Sequence, residues 1–262
     1  MTNTALITGA SSGMGVEFAR YHASKGGNLI IAARREAALQ KLKSELEAKY
    51  GVTIHVVALD LGSVGGAAAL YEAVQKTGET VKILINNAGF GGHGVHIERQ
   101  LSQELAMIDL NIKAVVSLTH MIGNDMVKSG GGKMLHVSST AGFMPGPMQA
   151  VYFATKAFVT SFSQAIDQEL RGRGVTSTEL CPGVVATEFF ETANLENTRM
   201  GKGHANFATA ESCAKHGYEE MMKGTLVTMN QKPMSFFTNW IVPLIPRRQA
   251  LKIVAHMQSY AK

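Results

Sequence analysis

Asn3-Thr4-Ala5-Leu6-Ile7-Thr8-Gly9-Ala10-Ser11-Ser12-Gly13-Met14-Gly15 decides how the chain is read. A short apolar run stops at Thr8, three glycines follow within seven residues, and residues 16–25 continue as a helix. Glycines between a strand and a helix allow a tight turn and close backbone approach, and the helix N-terminus attracts a pyrophosphate. The same turn could simply need flexible residues, so the motif alone leaves both readings open.

Outward from this turn the chain alternates. Residues 29–33 are continuously apolar, 36–50 are amphipathic and charged, and 53–58 are β-rich and stop at Asp60. Residues 67–76 read as helix, and 81–85 as a strand ending in Asn86-Asn87-Ala88-Gly89. A long helix covers 103–127, a strand 133–137, a second long helix 150–170 and a strand 175–180, before a last helix–strand pair at 210–222 and 226–229. Short strands without polar alternation are buried on both faces, and the helices between them supply parallel crossovers. The expected fold is α/β: one open, mostly parallel, doubly wound sheet of about seven strands. Residues 1–230 form the expected catalytic domain. Residues 188–209 have weak periodicity and are expected to be a mobile flap, and residues 231–262 form an apolar C-terminal helical extension packed on the domain.

The chain has 262 residues, 45% hydrophobic and 17% charged, enough to bury a full core without staples. Two cysteines, Cys181 and Cys213, give no disulfide framework and point to a reducing, cytoplasmic setting. No apolar run reaches the roughly 20 residues of a membrane span, and the N-terminus enters a strand at once, with no signal peptide in view. The net charge of +5 is dispersed, which argues against nucleic acid.

Polar residues gather at the carboxyl ends of the expected strands. Tyr152 and Lys156 share one face of a helix at i, i+4, and Ser139 follows the strand 133–137. Asp60, residues 86–89, Pro182-Gly183 and Thr187 fall on the same edge. Ser138 competes with Ser139, but adjacent strand residues point to opposite faces, and Ser139 is preferred. Thr187 also suits a helix N-cap before Glu188. His93 and His96 form His-x-x-His without a third ligand, so no metal is expected; Cys181 reads as a small buried residue, and Glu17 and Glu169 as solvated helix residues.

These elements together resemble the short-chain dehydrogenase/reductase family over about residues 3–230: the turn at 8–15, Asp60-Leu61, Asn86-Asn87-Ala88-Gly89, Asn111, Ser139, Tyr152 with Lys156, and Pro182-Gly183 with Thr187. The resemblance implies a nicotinamide-dependent enzyme acting on a small-molecule carbonyl or alcohol. Tyr152 would be the acid/base, its phenolate favoured by Lys156; Ser139 would bond the substrate oxygen, and Asn111 would hold a water that links Lys156 to solvent. The dinucleotide would lie against Gly9, Ser11, Ser12, Gly13, Met14, Gly15, Asp60, Leu61, Asn87, Ala88, Gly89, Tyr152, Lys156, Pro182, Gly183, Val185 and Thr187. Asn86 and Gly89 would face its adenosine side, with Asn87 shaping the turn. Where relatives that prefer NAD(H) carry an acid after the second strand, this chain has Ala33, followed by Arg34 and Arg35. Guanidinium groups there suit a 2′-phosphate, so NADP(H) is expected in preference to NAD(H).

The substrate is expected to be apolar, against Phe143, Met144, Met148, Phe189, Phe190 and tail aromatics. The resemblance further implies a homodimer through the helices 103–127 and 150–170, and in some members a tetramer. The tail offers three roles: a wall of the substrate pocket, a partner interface, or a membrane-surface contact through residues 236–245 backed by Arg247, Arg248 and Lys252. A non-enzymatic NADPH-binding regulator is the rival reading of the same fold.

Overall fold

The computed structural model describes residues 3–202, 208–231 and 235–260. The strands are β1 Thr4–Thr8, β2 Leu29–Ala33, β3 Ile54–Ala58, β4 Val81–Asn86, β5 Gly132–Val137, β6 Val175–Leu180, β7 Val185–Ala186, β8 Ala208–Thr209 and β9 Val227–Thr228. The helices are α1 Gly13–Ser24, α2 Glu36–Tyr50, α3 Gly66–Lys76, α4 Leu101–Ile108, α5 Val115–Lys128, α6 Ala150–Leu170, α7 Phe189–Thr192, α8 Ala210–Lys223 and α9 Arg247–Gln258. Seven parallel strands form the main sheet in the order β3-β2-β1-β4-β5-β6-β9, while β7 and β8 pair separately.

Alternation along the strands sorts the core into two layers. Ile7, Ile31 and Ile85 pack with Phe18 of α1, Leu39 and Leu46 of α2 and Met221 of α8. Their neighbours Leu6, Ile30 and Leu84 face the other way, onto Leu70 of α3 and Leu118 and Ile122 of α5. Strand order reverses between β1 and β4, where an open α/β sheet leaves a crevice at the strands' carboxyl ends.

Two elements depart from the expected regular helices. Between α4 and α5 the chain takes a π turn, Asp109–Ala114, which carries Asn111 into the interior. The combined stretch Leu101–Lys128 is long and apolar enough by length and composition to cross a membrane. Here it is a crossover: α5 lies on the sheet, and Leu101, Leu105 and Phe158 remain exposed on α4 and α6. In the tail, the apolar stretch is a π turn, Phe237–Ile241, followed by a 3-10 turn, Val242–Leu244. Pro243 lacks an amide hydrogen and cannot extend an α-helical ladder.

The described part of the expected flap is folded onto the domain. Phe190, Ala193 and Leu195 are buried together, and the chain beyond them is tied to the C-terminal end. Arg199 N donates to Ser259 O at 3.0 Å, Met200 N donates to Met257 O at 3.1 Å, and Thr198 bridges Tyr260. The flap's residues 203–207 and the tail's residues 232–234 lie outside the described residues.

Helix α6 is locked to β6 by one buried carboxylate. Asp167 Oδ1 accepts from Ser177 N at 2.9 Å while Arg171 spans both carboxylate oxygens at 2.8 and 3.0 Å. Asp167→Ala leaves a buried amide without its acceptor and is expected to lower unfolding free energy by about 2 kcal/mol in urea denaturation.

Candidate active site

The carboxyl ends of β1, β4, β5 and β6 open into a cavity of about 820 Å³. Its floor begins at the glycine turn, where Gly9 and Gly13 hold φ of 68° and 52°, the left-handed region open to glycine. A Cβ on Gly15 would lie 2.1 Å from Gly9 O, so this position lets α1 close on the turn rather than lining the cavity. Thr8 Oγ1 accepts from the amides of Asn87 and Ala88, each at 3.0 Å, and Asn87 Nδ2 donates to Thr8 O at 2.9 Å. The turn and the loop after β4 thus form one rigid floor facing the N-terminus of α1. That arrangement fits a pyrophosphate.

Ser139, Tyr152 and Lys156 converge on this floor. Ser139 Oγ accepts from Ala141 N at 3.1 Å, which fixes its orientation, and its hydroxyl eases the Tyr152 phenol downward. Lys156 Nζ donates to Val137 O at 2.8 Å and sits 5.8 Å from the centre of the Tyr152 ring. Ser138, the competing hydroxyl, donates to Lys156 O at 3.1 Å and contacts Thr160, so it braces the helix. Burial pushes the Tyr152 phenol up to about 12, partly offset by the Ser139 hydrogen bond. Burial brings the Lys156 ammonium down to about 8. The phenol is therefore neutral in the protein alone, with desolvation the larger cause of its shift.

The other expected site residues divide into three groups. Ser11, Ser12, Met14, Asp60, Leu61, Gly89, Pro182, Gly183, Val185 and Thr187 line the cavity with the residues above. The side chains of Asn86 and Asn111 do not line it. Asn86 is buried, with Nδ2 on Thr119 and His136 at 3.2 Å each. Asn111 spends its amide on Phe90 N, Phe90 O and Thr155 Oγ1, at 3.1, 2.9 and 3.1 Å, and so holds the loop after Gly89. Arg35 reaches across the cavity, from Ser11 O at 3.2 Å to Glu188 Oε2 at 2.9 Å, joining the glycine turn to the chain before α7. Arg34 lines the cavity beside Ala33 with its side chain exposed, the better placed of the two for a phosphate. Thr187 Oγ1 accepts from Phe189 N at 3.3 Å and so caps α7 while lining the cavity.

Beyond Tyr152 the lining turns apolar. Met144, Phe189 and Phe190 stand there as expected, whereas Phe143 and Met148 do not line it. Sequence reasoning missed Phe90, Phe153 and Gln149, and it did not resolve which tail residues face inward: Phe237, Val242, Ile245 and Val254 do. Gln149 was discoverable, because it lies one helical turn before Tyr152. Its Nε2 donates to Gln258 Oε1 at 2.8 Å, and its buried Oε1 has no protein partner among the described residues. The two histidines take separate partners: His93 Nε2 donates to Gln258 O at 2.7 Å, and His96 pairs with Glu104 at 3.2 Å.

Comparisons with known proteins agree with this geometry. The family model described as short chain dehydrogenase matches residues 3–198. A sulfoacetaldehyde reductase from Chromohalobacter salexigens is 35% identical over 72% of this chain and 75% of that protein. A short-chain dehydrogenase from Sphingobium yanoikuyae, solved in complex with NADPH, superposes with a TM-score of 0.81 at 26% identity, covering 96% of this chain and 99% of that one. A bulky-bulky ketone specific alcohol dehydrogenase from Comamonas testosteroni gives 0.76 at 28% identity, covering 87% and 85%.

The closeness of Gly15 to Gly9 O yields a stability test. Gly15→Ala is expected to cost about 3 kcal/mol, read as a lowered urea midpoint, because backbone must move to admit the methyl group. Gly172→Ala, where nothing lies within 4 Å, is the control and stays within about 0.5 kcal/mol of the parent.

Proposed function

The chain belongs to the short-chain dehydrogenase/reductase family of oxidoreductases, and from that premise we propose that it reduces the carbonyl of a bulky, apolar substrate with NADP(H) in preference to NAD(H). The observation that carries this reading is the convergence of Ser139, Tyr152 and Lys156 on one cavity, where the polar floor meets the apolar chamber.

The nicotinamide, when bound, supplies the hydride chemistry. The glycine turn, Asp60, Leu61, the loop after β4 and residues 182–187 would hold the dinucleotide, with Arg34 on the 2′-phosphate. The remaining work is proton transfer and orientation. Tyr152, neutral with its pKa near 12, gives its proton to the carbonyl oxygen as negative charge grows there. Ser139 donates its hydroxyl hydrogen to the same oxygen and stabilises that charge. Lys156, where protonated, stabilises the phenolate left behind.

Substrate class follows from what the chamber lacks. The charged residues lining the cavity, among the described residues, are Arg34, Arg35, Asp60, Lys156 and Glu188, all on the dinucleotide side or at the reacting centre. A small sulfonated aldehyde, the substrate in the name of the Chromohalobacter relative, would find no further cation for its anionic end among the described residues. Met144, Phe153, Phe189, Phe237 and Val254 instead offer dispersion contacts to a large apolar ketone or aldehyde, which agrees with the likeness to the bulky-ketone enzyme.

Tyr152→Phe removes the transferable proton and is expected to lower kcat about a thousandfold while NADPH still binds. Retention of a tenth of the activity would exclude Tyr152 as the acid. In fluorescence titrations, Arg34→Ala is expected to weaken NADPH at least about tenfold and NADH little, since only NADPH carries the phosphate. Equal losses would remove Arg34 from that role.

A further inference from the structure

The chain between β9 and α9 has two apolar faces. Phe237, Val242 and Ile245 line the cavity. Interleaved with them, Phe236, Trp240, Ile241 and Leu244 are 62%, 68%, 37% and 80% exposed. Large apolar side chains grouped so closely on a surface mark a contact with something else. Ile253 and Met257 of α9 line the cavity and are half-exposed, so the mouth of the apolar chamber opens beside this group.

Charge distinguishes the candidates for that contact. Helix α9 begins with Arg247 and Arg248, and Lys252 follows one turn later, all on exposed positions. No acidic residue occurs from Met221 to Lys262. A two-fold interface centred on this face would put like charges on both sides of it, with no acidic residue of residues 221–262 to pair with them. An aromatic and aliphatic cluster bordered by arginine and lysine matches instead a segment lying in the boundary of an anionic bilayer, with apolar groups among the acyl chains and cations on the phosphates.

We propose that residues 236–244 insert shallowly into an anionic lipid surface, with Arg247, Arg248 and Lys252 on the headgroups. The inserted residues form the outer side of the same segment whose inner side walls the cavity. The enzyme thereby rests on the membrane with its apolar chamber opening next to the lipid.

Trp240 is the chain's one tryptophan, so its emission reports on this segment directly. The full-length protein is titrated with vesicles of phosphatidylcholine, with and without phosphatidylglycerol, and with lipids brominated along their acyl chains. Anionic vesicles are expected to shift the emission to the blue, and brominated lipids to quench it. Arg247→Glu with Arg248→Glu is expected to weaken partitioning at least about tenfold, and added salt to weaken it as well. Leu244→Ser weakens it on both vesicle types. These residues are exposed and outside the cavity lining, and circular dichroism checks that each variant is folded. An emission that no vesicle changes overturns the proposal, as does equal binding to neutral and anionic vesicles. A blue shift that grows with protein concentration in the absence of lipid overturns it too, and assigns the face to a second copy. Turnover plays no part in these readouts, so they stand apart from the test of Tyr152.

Discussion

Parallel strands all end on the same side of their sheet, and the site rests on that directional constraint. The end of β1 supplies the glycine turn, β4 the loop that brackets it, β5 Ser139 and the carbonyl that holds Lys156, and β6 the residues opposite. Register is fixed by the two core layers: Ile7, Ile31 and Ile85 on one face, Leu6, Ile30 and Leu84 on the other. A slip of one residue in any strand would exchange these faces and displace the turn at its end. Packing deep in the sheet therefore sets the position of groups that touch none of it.

Within this frame, buried ionisable groups are managed by hydrogen bonds more than by opposite charges. Lys156 rests on one carbonyl oxygen, and the neutral Ser139 hydroxyl eases the Tyr152 phenol. Glu179, fully buried beneath them, accepts from Thr160 at 2.6 Å, Gln164 at 3.1 Å and the Cys181 thiol at 2.8 Å. Neutral donors leave the local field weak, so desolvation dominates: the phenol moves up and the ammonium moves down. The two shifts run in opposite directions, which keeps a proton on Tyr152 while making that on Lys156 easier to lose.

Much of this was legible in the sequence because it is local. Apolar runs without alternation identified a sheet buried on both faces, and Gly9, Gly13, Ser139, Tyr152 and Lys156 were visible as polar or flexible residues where strands end or helices begin. What escaped depends on long-range geometry or on irregular backbone. Arg35 reads as a phosphate ligand until Glu188, 153 positions away, is seen to hold it. Asn86 reads as a neighbour of the adenosine until the β4 register is seen to bury its side chain against His136. Asn111 cannot be aimed without knowing that a π turn interrupts its helix. In the tail, neither a period of 3.6 nor a period of 2 applies to a π turn followed by a 3-10 turn, so its inward and outward residues could not be separated from spacing alone.

The anchoring of the C-terminal end bears on the order in which the molecule assembles. Turns and βαβ units of the nucleotide half join residues close in sequence, and their loops close at small entropic cost. The chamber depends on pairs such as Gln149 with Gln258, 109 residues apart, and His93 with Gln258, 165 apart. Closing loops of that length is a late event in folding. The nucleotide half can therefore take shape while the chamber still lacks a wall, and the apolar chamber is complete only once α9 has docked.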